Sequence, residues 1–118
     1  MVASPQLQWM SPQEYLEWEP MQQLRHEYIE GEVFAMTEGT KPHNRIALNL
    51  VTALDSHLAQ SSCEVYISDV KVQVATANSY YYPDVVVTCD PRERESNSIV
   101  QHPCLIVEVL SPSTEAYD

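Results

Sequence analysis

Glycine is nearly missing from this 118-residue chain, which has Gly31 and Gly39 and no others. Neither a G-x-x-x-x-G-K phosphate loop nor a G-x-G-x-x-G dinucleotide turn can be written with two glycines so placed, so nucleotide cofactors held in those ways are excluded. Positive charge is scarce too: six Lys and Arg stand against seventeen Asp and Glu, a formal net charge of -11. Such a chain repels phosphate backbones and anionic membrane surfaces, and nucleic-acid contact then requires a local basic patch or a bound cation. Cysteine is limited to Cys63, Cys89 and Cys104, with no C-x-x-C pair. That usage predicts reduced thiols acting as small apolar core residues, not a disulfide or a zinc knuckle. No stretch approaches the ~20 apolar residues of a membrane span, and the first twenty residues lack a basic start followed by an apolar run. The expected placement is cytoplasmic, with no membrane partner.

What is present is the composition of a packed globule, 44% hydrophobic and 19% charged, of a size for one domain over residues 1–118. Ser11-Pro12-Gln13-Glu14 carries a cap, a first-turn proline and a reciprocal acid, which predicts a short helix ending near Pro20. His26–Ile29 and Glu32–Met36 flank Glu30-Gly31 and read as a hairpin. Between Asn44 and Gln60 the residues Ile46, Leu50, Leu54 and Leu58 recur every four positions, with Ala47, Val51 and Ala53 beside them, the stripe of an amphipathic helix. Strands are expected at Glu64–Ile67, Val70–Ala75 and Tyr81–Cys89, with a turn at Asn78-Ser79. Arg92–Ser98 reads as a solvated polar loop and Pro103–Leu110 as a central strand, apolar on both faces. Ser111–Glu115 would open another helix. One long helix cannot cover both faces of such a sheet, so the expectation is a truncated chain or a homodimer or higher homo-oligomer.

Two acids stand out. Glu108 shares a face with Ile106 and Leu110, and Asp84 follows Pro83 at the head of Val85-Val86-Val87. Acids are rarely buried unpaired, so a cation, a basic side chain or a hydrogen-bond network must compensate them. Arg25, Arg45 or Lys71 could do so as an ion pair, although Lys71 reads more simply as a solvent-facing strand lysine. Two carboxylates converging from neighbouring strands are also an oxygen-ligand site for Mg²⁺ or Mn²⁺.

Pro83-Asp84 followed by Glu108 on an adjacent strand resembles the PD-(D/E)XK metal-dependent nuclease site. The surrounding segments Arg25–Glu32, Pro42-His43-Asn44, Tyr82–Val87 and Leu105–Thr114 together closely resemble the Uma family of restriction-endonuclease-like proteins. The resemblance implies an α/β fold, a restriction-endonuclease-like mixed β-sheet with an N-terminal hairpin and flanking helices, its C-terminal part missing. It implies that Asp84 and Glu108 are metal ligands, that Glu27 is the acid contributed by the N-terminal segment, and that His43 matches a family histidine at the mouth of the long helix. The implied activity is Mg²⁺-dependent (or Mn²⁺-dependent) endonucleolytic hydrolysis of nucleic-acid phosphodiester bonds, DNA being the expected substrate. One departure stands out: Leu110 occupies the place, two residues after Glu108, where such nucleases often carry lysine. In the Uma-like pattern the lysine follows the Tyr-Asp that is here Tyr117-Asp118. The alternative expectation is therefore a catalytically incomplete copy acting as a metal-binding or oligomeric interaction domain.

Overall fold

The computed structural model describes residues 3–37 and 39–110, with side chains from Trp9 onward. Its elements in chain order are β1 (Ala3–Trp9), α1 (Pro12–Trp18), β2 (His26–Ile29), β3 (Glu32–Met36), α2 (Lys41–His57), β4 (Glu64–Ile67), β5 (Lys71–Val74), β6 (Ser79–Tyr81), β7 (Val85–Thr88), β8 (Ile99–Val100) and β9 (Pro103–Val107). They build two sheets: a six-stranded one ordered β1-β3-β2-β6-β5-β8 and a three-stranded one ordered β4-β7-β9. Pairing is antiparallel except between β5 and β8, so the larger sheet is mixed.

The local signals act as the residues dictate. The Ser11 hydroxyl accepts from the Glu14 N–H (3.1 Å) and the Glu14 carboxylate from the Ser11 N–H (2.9 Å), a capping box that starts α1. Glu30 and Gly31 both take positive φ, 47° and 100°, as a two-residue turn matched to strand twist requires. Helix α2 begins three residues before Asn44 because Thr40 caps it, its hydroxyl accepting from the His43 N–H with Pro42 in the first turn. The half-buried face of α2 runs through His43, Ala47, Leu50, Val51 and Leu54 and lies against β4. Ile46, expected on that stripe, is exposed.

The core is built on tyrosine. Tyr15 (α1), Tyr28 (β2) and Tyr80 (β6) pack around Val33, and the rings of Tyr15 and Tyr28 stack at 5.0 Å. Their hydroxyls are satisfied inside the protein, Tyr15 on the His26 carbonyl, Tyr28 on that of Met10, and Tyr80 accepting from Gln73, as burial of a phenol demands. A second apolar group, Val72, Val86 and Val100, joins the two sheets.

Several expectations are overturned. The strand read as Tyr81–Cys89 is two strands in different sheets, β6 and β7, separated at Tyr82-Pro83-Asp84, where proline has no N–H for a ladder. Strand β9 pairs only with β7 among the described residues, so it lies at an edge, with Leu105 and Ile106 exposed; the buried central strand is β7. Lys71 does not face solvent but is buried and paired with Glu19 (2.9 Å). Within the expected polar loop Glu93 is buried, accepting from the N–H groups of Gln101 and His102 and from the Thr88 hydroxyl. The cysteines are not buried thiols. Cys63 and Cys89 form a disulfide, and Cys104, exposed, has its Sγ 3.5 Å from that of Cys89. The cause is register: β4 and β7 pair Glu64 with Thr88, which makes Cys63 and Cys89 the next facing positions. The disulfide removes the cysteine argument for a reducing compartment. The helix expected from Ser111 and the lysine expected after Asp118 lie outside the described residues.

Candidate active site

The antiparallel register of β7 and β9 pairs Val85 with Val107. The next facing positions, one residue outside each strand at the same end of the sheet, are Asp84 and Glu108. Asp84 is buried at 2% exposure. Its Oδ2 accepts from the Val109 N–H (2.7 Å) and lies 3.1 Å from His43 Nε2. His43 reaches it because it opens the inward-facing stripe of α2.

Glu108 faces Asp84 across this register, and its carboxyl pKa is pushed from an ordinary 4.5 up to about 8. Lost hydration is the largest cause, followed by the negative charges of Asp84 and then of Glu27. Contrary to the burial its apolar neighbours suggested, Glu108 is exposed, as are Ile106 and Leu110 on its face, so water screens part of that repulsion. Glu27, on β2, accepts from the Tyr82 N–H at 2.9 Å and so fixes the segment that delivers Asp84. The four residues singled out in the sequence, Glu27, His43, Asp84 and Glu108, are thus brought to one place by two sheets and one helix.

Beside Asp84 is a cavity of about 170 Å³ lined also by Arg25, His43, Asn44 and Ser68. In the sequence Arg25 stands beside Arg45 and Lys71 as a candidate ion-pair partner of the acids. The signal that singles it out is strand alternation: it stands two residues before Glu27 and so belongs to the same side of that extended segment. Lys71 is engaged with Glu19, and Arg45 and Lys41 are exposed on α2.

Among the described residues no group of three or more His, Cys, Asp and Glu has metal-holding geometry. The donor set on hand is the pair Asp84 and Glu108, with Glu27 close enough to be felt electrostatically. Magnesium is commonly held by one or two carboxylates and keeps several waters, and manganese also suits oxygen donors. The pair fits such an open, oxygen-only site, and the mutual repulsion that raises Glu108 is the kind a divalent cation relieves.

No helix among the described residues is long and apolar enough to cross a membrane. The chain is 50% identical over 109 residues to the uncharacterised protein slr1290 of Synechocystis, a match covering 92% of this chain and 57% of that protein. It is 35% identical over 107 residues to a second Synechocystis protein, sll1609, covering 89% of this chain and 60% of that one. The chain therefore spans less than two thirds of the length of these curated relatives. Its fold superposes on the crystal structure of a "putative nuclease belonging to DUF820" from Anabaena variabilis with a TM-score of 0.72 at 23% identity, over 87% of this chain and 59% of that one. A mixed α/β fold of the kind found in that structure, and a sequence match over residues 12–118 to the family model Uma2, described as "Putative restriction endonuclease", agree with one another. The chain belongs to the Uma2 family.

Proposed function

We propose that this chain carries the acidic centre of a Mg²⁺- or Mn²⁺-dependent endonuclease that hydrolyses phosphodiester bonds in nucleic acid, DNA in the first instance. The observation that supports this most is the meeting of Asp84 and Glu108 across the β7–β9 register, with Glu27 and His43 beside them. A divalent ion bound there lowers the pKa of a water and offsets charge developing on the phosphodiester. Asp84 is the fixed ligand, immobilised by the Val109 N–H and oriented by His43. Glu108 would be the second ligand, its carboxyl raised by lost hydration and by the charges of Asp84 and Glu27. Glu27 adds negative charge that favours cation entry and, through Tyr82, holds the Asp84 segment in position.

The test is Mg²⁺- or Mn²⁺-dependent cleavage of plasmid DNA alongside calorimetric Mn²⁺ binding. Asp84→Ala and Glu108→Ala should each abolish cleavage and weaken Mn²⁺ binding, whereas variants that cleave and bind as the parent does would remove the site. A second reading, a metal-binding or oligomeric interaction domain, is favoured by the exposed Leu105 and Ile106 on β9. Mn²⁺ binding that depends on Asp84 with no cleavage at all would select it.

A further inference from the structure

We propose that Arg25 is the residue of this site that contacts a nucleic-acid phosphate, a proposal that rests on the nuclease reading above. The acidic wall formed by Glu27, Asp84 and Glu108, in a chain of net charge -11, repels the substrate that it would act on. A basic side chain lining the cavity beside Asp84 would, together with a bound divalent ion, offset that repulsion and hold a phosphodiester there.

Elimination among the six Lys and Arg residues leaves one that lines the cavity beside Asp84. Arg92 is paired with Asp90 at 2.6 Å and Lys71 with Glu19 at 2.9 Å. Lys41, Arg45 and Arg94 are exposed, and none of them lines the cavity next to Asp84. Arg25 is half-buried and does line it, together with His43 and Asn44.

Arg25 is also held in the way a phosphate-binding guanidinium needs to be. Its Cζ lies over the Tyr82 ring, 5.5 Å from the centroid, and Nη1–H donates to the Ser68 carbonyl. Tyr82 is in turn tied to Glu27 through its N–H and to Glu19 through its hydroxyl. A guanidinium has five N–H donors in a planar fork matched to two phosphate oxygens. Anchoring it on one ring and one carbonyl removes rotamer freedom beforehand, so less is lost when the remaining donors engage an anion. The same Tyr82 segment positions Arg25 and Asp84, which fixes the distance between the cation and the metal-ligating acid.

The experiment measures binding of a short fluorescein-labelled DNA duplex by anisotropy at low salt with Ca²⁺ present, across a salt series. Arg25→Gln keeps an N–H for Ser68 and a flat group over Tyr82 while removing the charge, and a thermal melt checks that it folds. It should weaken binding by about tenfold or more and lower the slope of log affinity against log salt by about one. Arg25→Lys should restore the slope and part of the affinity, and Arg94→Ala, remote from the cavity, should leave both unchanged. Arg25→Gln with the parent's affinity and slope overturns the proposal, as does a parent chain that binds no duplex. If Arg25→Gln weakens duplex binding while Asp84→Ala and Glu108→Ala leave cleavage and Mn²⁺ binding intact, the phosphate contact stands and the acidic centre falls.

Discussion

Glu19 is a buried carboxylate with three partners. It accepts from Lys71 Nζ (2.9 Å), the Tyr82 hydroxyl (2.7 Å) and the His26 N–H (3.2 Å). Lys71 Nζ also lies 4.6 Å from the centre of the Tyr15 ring. Burial and the bond to Glu19 hold the Tyr82 phenol well above the ordinary tyrosine range, so it stays a donor throughout the working pH range. Removing one partner of a buried ion pair strands the other charge, so Lys71→Met should destabilise the fold by about 3–5 kcal/mol. Tyr82→Phe, which deletes one of three bonds to that carboxylate, should cost about 1.5–3 kcal/mol; urea denaturation of both variants is the check. Glu108 gives the opposite kind of residue effect. Its folded pKa of about 8 lies above the ordinary 4.5, so the folded state holds a proton that the unfolded chain has released. Stability from this group is complete below about pH 4.5 and is lost as pH rises toward 8. With chelator present the melting temperature should therefore fall across that window, modestly because Glu108 is open to solvent. Glu108→Gln should flatten the decline, and a dependence equally steep in that variant would show that another group causes it.

At the scale of elements, the β2–β3 hairpin depends on a turn that only certain residues can make. Gly31 has φ 100°, and a Cβ there would stand 2.7 Å from a ring carbon of Trp9. Gly31→Ala should therefore destabilise by about 1–3 kcal/mol through backbone strain and the clash together, measurable as a lower urea midpoint at unchanged slope. This hairpin, the capping box of α1 and the limits of β4 were legible because each is written in consecutive residues. The acidic centre was legible for a related reason: Asp84 and Glu108 both break apolar strand patterns, and Glu27 and His43 came with the family likeness. What sequence could not reveal depended on pairing between distant segments. The break between β6 and β7 turns on Pro83 and on Tyr82 giving its N–H to Glu27. The Cys63–Cys89 disulfide follows from the β4–β7 register, and burial of Lys71 follows from Glu19 arriving from the end of α1. Periodicity identified α2 and most of its inward face, Ala47, Leu50, Val51 and Leu54, but put Ile46 and Ala53 on it and could not show that His43, one turn earlier, reaches Asp84.

For the whole molecule, charge and surface apolarity pull against one another. The surplus of eleven negative charges keeps copies apart near neutral pH, while Ile46, Ile67, Leu105, Ile106 and Leu110 offer apolar surface to solvent. The sequence isoelectric point is about 4.5. As pH falls toward that value the repulsion vanishes and the apolar contacts act unopposed, so light scattering at fixed concentration should rise steeply between about pH 6 and pH 4.5. Over the same interval protonated Glu108 makes the single folded chain more resistant to heat. Association and stability should thus increase together on acidification, which separates this behaviour from aggregation of unfolded chains. Leu105→Lys with Ile106→Lys should lower the scattering while leaving the melting temperature in dilute solution nearly unchanged, since both side chains are exposed. If scattering instead tracks loss of the folded state, or if the double variant scatters as the parent does, the exposed face of β9 is not what brings the chains together.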